Sequence, residues 1–141
     1  MKLSCRTILL LVLALFLMTT PSLAAGDKVT AQVLAKSTLS WNGNPMPAYP
    51  EGIPEVTILR IQIPAGTTLP WHTHPVINAG VLISGELTVT TRSGKVLEMK
   101  AGDPIVEVVD TWHYGKNTGS TPADIIVFYA GTKGGAITIK E

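Results

Sequence analysis

The stretch PAGTTLPWHTHPVINAGVLISGEL, residues 64–87, decides how this chain is read. It puts two of the three histidines, His72 and His74, one residue apart in a segment otherwise composed like a strand. Side chains alternate between the two faces of a strand, so residues i and i+2 share a face and both imidazoles would meet one point. Neutral imidazole is the commonest metal-ligating side chain. A lone histidine here would be explained by packing, whereas a same-face pair asks for a ligand. Two ligands rarely suffice for a mononuclear centre, and the one remaining histidine is His113, in DTWHYGKN at 110–117. From spacing alone, three packed core imidazoles remain the alternative.

Outward from this stretch the chain is a series of short β-branched runs with no helical periodicity. Strands are expected at 29–35 (VTAQVLA), 55–63, 77–83, 86–91, 96–100, 104–109 and 124–130. Turn residues separate them, as in PAGT, SGE, RSGK, KAGD and GTKGG. The fold class is therefore all-β, a sandwich or small barrel. The expected core is Leu59, Ile61, Ile63, Leu82, Leu87, Val89, Leu97, Ile126 and Phe128. SWNGNPMPAYPEGIP, residues 40–54, carries Pro45, Pro47, Pro50 and Pro54, too many for a central strand or a helix. It reads as an arm over the barrel surface, in which Trp41 and Tyr49 could cap the barrel mouth or reach a second subunit.

The first two dozen residues stand apart. Lys2 and Arg6 precede an apolar run from Ile8 to Met18, followed by small residues with Ser22 and Ala24 spaced for cleavage, the pattern of a secretory signal peptide over 1–24. The run is short for a membrane span, which needs about 20 residues. Cleavage after Ala24 or Ala25 would deliver a periplasmic or secreted protein. Without Lys2 and Arg6 the basic residues fall from 11 to 9 against 10 acidic ones, a balance that argues against nucleic acid as a partner. No long apolar segment then remains for a membrane. The only cysteine, Cys5, lies in the leader, so the mature chain has no disulfide, thiolate ligand or cysteine nucleophile.

Glycines frame the histidines at fixed offsets: Gly66, His72, His74, Asn78 and Gly85 in one segment, Gly102, His113 and Asn117 in the next. This framework resembles the two motifs of the cupin superfamily, G-x5-H-x-H-x3-E-x6-G and G-x5-P-x-G-x2-H-x3-N. Asn78 stands in place of the Glu of the first, and Val108 and Asp110 replace the Pro and Gly of the second. The resemblance implies a single jelly-roll β-barrel over 55–141, with 25–54 as an N-terminal strand and arm. It also implies one divalent ion in the barrel mouth, held by His72, His74 and His113. Iron, manganese, zinc, nickel and copper are all admitted. In most cupins the matching Glu completes the site; here Asn78 would be a weak ligand or a hydrogen-bond donor to a bound molecule.

Other pocket candidates are fewer. Arg60, inside ILRIQI, could bind a substrate carboxylate bidentately, with Gln62 on the same face. The alternative for Arg60 is a surface or interface position. Glu107 is a possible proton shuttle. Trp71 and Trp112 each precede a histidine and so should face outward, while Tyr114 is undecided. The function implied is an exported metal-dependent oxidoreductase of dioxygenase type acting on a small molecule, with isomerase or lyase chemistry as a variant. A non-catalytic protein binding a small molecule or metal is the competing class. Because cupins commonly pair through an outer sheet, a homodimer is expected.

Overall fold

The computed structural model describes residues 28–141, so the leader read in 1–24 lies outside the described residues. Nine strands occur in the order β1 (Pro54–Ile63), β2 (His72–Thr73), β3 (Asn78–Ser84), β4 (Glu86–Thr91), β5 (Val96–Lys100), β6 (Pro104–Val106), β7 (His113–Lys116), β8 (Ala123–Thr132) and β9 (Ile139–Lys140). The described residues contain no helix. The strands form two antiparallel sheets, one in the order β1-β8-β3-β6 and the other β5-β4-β7-β2-β9.

Alternation along the strands fixes what each sheet turns inward. Ile63, Leu82, Ile125, Val127 and Tyr129 from the first sheet are buried against Leu87, Val89 and Met99 from the second. Ile61 and Leu97 pack on this core, as expected, but Ile126 and Phe128 point outward and Leu59 is also exposed. The expected face of β8 was therefore wrong. Its sequence DIIVFYA is apolar at both parities, so only the pairing register with β1 and β3 decides which row is inside.

The segment 29–35 forms no strand, although its composition suits one. It finds no ladder partner, and Val29 and Val33 are exposed. Beyond it the arm is irregular, as its prolines require, with a single bridge between Leu39 and Pro45. It is nevertheless anchored, because the Trp41 N–H donates to the Val106 carbonyl at 2.9 Å. Gly85, which closes the first motif, turns the chain from β3 into β4 at φ 79°. A Cβ there would lie 2.6 Å from the Pro122 carbonyl oxygen, so that glycine serves the fold rather than the site.

Candidate metal centre

The short strands β2, which His74 follows, and β7 pair with each other, and His72 stands directly opposite His113 in their ladder. Both residues close a Trp-His pair, and alternation sends the two halves to opposite faces. Outside, Arg92 lies over Trp71 at 5.4 Å and over Trp112 at 4.8 Å, while Tyr114 meets Trp71 edge-on. This cation–π contact to both indoles ties the two strands together behind the imidazoles. Arg92 is itself held by Glu141 and by its N–H to the Trp112 carbonyl. Trp71 and Trp112 are thus outward, as expected, and Tyr114 joins them.

Inside, the rings of His72 and His113 lie 4.3 Å apart, and His74 is 5.0 and 5.1 Å from them. One nitrogen from each ring falls within 4.8 Å of the other two. The tautomers follow from the partners. His72 Nδ1 is 2.8 Å from the Pro70 carbonyl, His113 Nδ1 is 2.8 Å from the Thr111 carbonyl and His74 Nδ1 is 2.9 Å from the Ile137 carbonyl. A carbonyl only accepts, so every Nδ1 donates its proton and every Nε2 is left to coordinate. His74 has a further neighbour in Thr138 Oγ1 at 3.2 Å, and its ring meets Tyr129 edge-on at 5.4 Å.

The electrostatics suit this role. Burial lowers His72, and it holds His74 down to about 4, so both are neutral near pH 7. Burial also acts to lower His113, but the Glu107 carboxylate beside it prevails and the net shift is upward. Burial would raise Glu107, yet the nearby His113 keeps it below its ordinary value and ionised. Glu107 Oε1 is 3.2 Å from His113 Nε2. That nitrogen is almost fully buried and makes no hydrogen bond. Three imidazoles whose Nε2 atoms are left free by their carbonyl contacts, His72 and His74 of them neutral, fit a divalent ion of the kind imidazole prefers, which would take the place of the proton that Glu107 favours on His113.

A cavity of about 70 Å³ adjoins the rings, walled by Ile61, Leu69, Leu87, Val89, Ile125 and Val127 with His72, His113 and Glu107 among its lining. The remaining sequence candidates are placed as follows. Asn78 is fully buried; its Nδ2 donates to the Val76 carbonyl at 3.2 Å and its Oδ1 has no partner. Arg60 and Gln62 are not brought to the imidazoles. They lie on the exposed face of β1, because the inward parity belongs to Ile61 and Ile63. Arg60 Nε and Nη2 donate to the Asp124 carboxylate, the shortest contact being 2.6 Å.

One contributor, the Ile137 carbonyl, carried no signal in the sequence, and Trp41, read there as a possible cap on the barrel mouth, reaches Glu107. Trp41 Nε1 donates to Glu107 Oε2 at 2.7 Å, across 66 residues, and the carbonyl of Ile137 orients His74. Asp110 is partly legible. It takes φ 48° at the position where the second motif has glycine, a conformation that Asp tolerates better than most residues. Its N–H donates to the His74 carbonyl at 2.9 Å.

The fold recurs in solved structures. An uncharacterized conserved protein with a double-stranded beta-helix domain from Klebsiella pneumoniae is 25% identical, with a TM-score of 0.52 over 60% of this chain and 76% of that one. Lactobacillus farciminis oxalate decarboxylase is 20% identical, with a TM-score of 0.53 over 60% of this chain and 26% of that one. The DMSP lyase DddQ from Ruegeria pomeroyi is 19% identical, with a TM-score of 0.53 over 70% of this chain and 46% of that one. At these identities the last two speak for the fold alone. No curated protein matches the sequence. The Cupin domain model spans residues 59–129, half of the chain and all three histidines, and the chain belongs to the cupin family.

Proposed function

We propose that this cupin is an exported small-molecule oxidoreductase of dioxygenase type, built on a mononuclear centre held by His72, His74 and His113. The observation that carries the reading is the set of three Nδ1–H groups spent on backbone carbonyls, which turns three Nε2 atoms toward one another beside an apolar cavity. A divalent ion bound there supplies a Lewis acid and a template for a small substrate. The chain's own part is to fix the imidazoles and limit size. A cavity of about 70 Å³ takes a molecule of few heavy atoms, on a scale where one water needs about 10–15 Å³. Dioxygen is both small and apolar, which favours oxygen chemistry here.

The test is oxygen uptake by the iron-loaded chain with a panel of small chelating acids. Uptake that disappears in His72→Ala supports the reading. Ligands that shift the melting temperature without any turnover favour the binding-protein alternative, and product formed without oxygen favours isomerase or lyase chemistry. Export is tested by the mass of protein recovered from a secreting host, with a mature N-terminus at residue 25 or 26 expected. The proposal includes a homodimer, formed through the outward face of the four-stranded sheet. In support, that face carries exposed Ile58, Ile83, Ile126 and Phe128, and a groove there is lined almost wholly by apolar residues including Leu34 and Val81.

A further inference from the structure

We propose that Glu107 supplies the carboxylate ligand of the metal centre in place of the residue at Asn78, and that Trp41 of the arm fixes it in that role. The inference rests on the metal-binding reading above and concerns how the centre is completed.

A buried carboxylate is costly unless its oxygens are satisfied. Glu107 is 8% exposed, and the two oxygens are treated very differently. Oε2 accepts from the Trp41 indole at 2.7 Å and from the Val108 N–H at 2.8 Å. Two donors on one oxygen lock the carboxylate plane and leave Oε1 turned to the imidazoles.

The side on which Oε1 stands is informative. A carboxylate that merely orients a metal-binding histidine bonds the ring nitrogen that does not coordinate. At His113 that nitrogen is Nδ1, and the Thr111 carbonyl already holds it. Glu107 faces Nε2 instead, on the coordinating side. Oε1 and Nε2 lie 3.2 Å apart. Two donors each about 2.1 Å from one ion and roughly at right angles to each other stand about 3.0 Å apart. The observed separation is of this size.

The position in the sheet completes the argument. The Glu107 N–H donates to the Asn78 carbonyl at 3.0 Å, so the two residues are neighbours across the β3–β6 edge. The side chain at 78 is shortened to an uncharged amide, and a carboxylate is delivered from the adjacent backbone. Trp41 reaches it because the arm is pinned to Val106. With both oxygens committed in this way, Glu107 does not serve as the proton shuttle expected from the sequence.

The experiment is titration of the metal-free full chain with Co²⁺ alone, reading stoichiometry, affinity and the visible ligand-field spectrum, with circular dichroism to verify folding. Glu107→Gln should weaken Co²⁺ by more than about 100-fold, beyond what loss of an outer partner costs, and shift the spectrum. Glu107→Asp, which keeps the charge, should recover part of the affinity. Trp41→Phe should weaken binding by about 10-fold and move the spectrum toward that of Glu107→Gln, which a purely structural role would not do. If Glu107→Gln and Glu107→Asp both keep the wild-type spectrum and affinity, the proposal is overturned while the three-histidine reading stands. If the wild type takes up no Co²⁺, both fall together.

Discussion

Asn117 closes the second motif, yet the structure gives it a task in the fold and none at the imidazoles. It is fully buried. Its Nδ2 donates to the Ile63 carbonyl at 2.9 Å and to the Thr121 carbonyl at 2.8 Å, and its Oδ1 accepts from the Gly119 N–H at 2.9 Å. One side chain thus ties the end of β1 to the loop that leads into β8. Asn117→Ala removes three hydrogen bonds of about 1 kcal/mol each and strands their backbone partners, so the loss should be about 3 kcal/mol or more. That is a large share of a stability of about 5–15 kcal/mol but leaves the chain folded. With a urea slope of about 1–3 kcal/mol per molar, the midpoint should fall by between about 1 and 3 M. Asn117→Asp, which keeps the acceptor and loses both donors, should be no better. Each variant, once folded, should still bind one ion per chain. A loss under about 1 kcal/mol for Asn117→Ala, or a folded variant without metal, would refute this division of labour within the motif.

Further predictions concern the loop, the ion and the outer face. Asp110→Gly relieves a left-handed backbone and should raise stability by up to about 1 kcal/mol in thermal unfolding, whereas Asp110→Val at the same φ should lower it. Removing the ion with a chelator should lower the melting temperature, and restoring it at about 100 times its dissociation constant should return about 2.7 kcal/mol. Light scattering should find the mature protein as a dimer, with Ile58→Lys and Phe128→Lys shifting it to monomer; a monomeric wild type would remove the dimer from the account.

The β architecture and the histidine cluster were legible for one physical reason. Period-two alternation places His72 with His74, and motif spacing adds His113. The same alternation does not tell the faces of β8 apart, because both are apolar, and β9, of two residues, is too short to show a period. Arg60 and Gln62 share a face, as their spacing implies, but nothing local says which face of β1 is inside. VTAQVLA at 29–35 has strand composition without a partner, and pairing is a tertiary fact. The contacts from Trp41 to Glu107 and from Ile137 to His74 join residues more than 60 apart, so no local pattern announces them.

The central claim is that three imidazoles, each with Nδ1 closed by a carbonyl, hold one ion. Its most direct test is the metal content of the purified mature protein, measured by mass spectrometry beside His72→Ala, His74→Ala and His113→Ala variants shown to be folded. The account predicts about one divalent ion per chain in the wild type and a loss of binding in every variant. A wild type that remains metal-free after reconstitution with each of iron, manganese, zinc, nickel and copper, or folded variants that retain the ion, would contradict it.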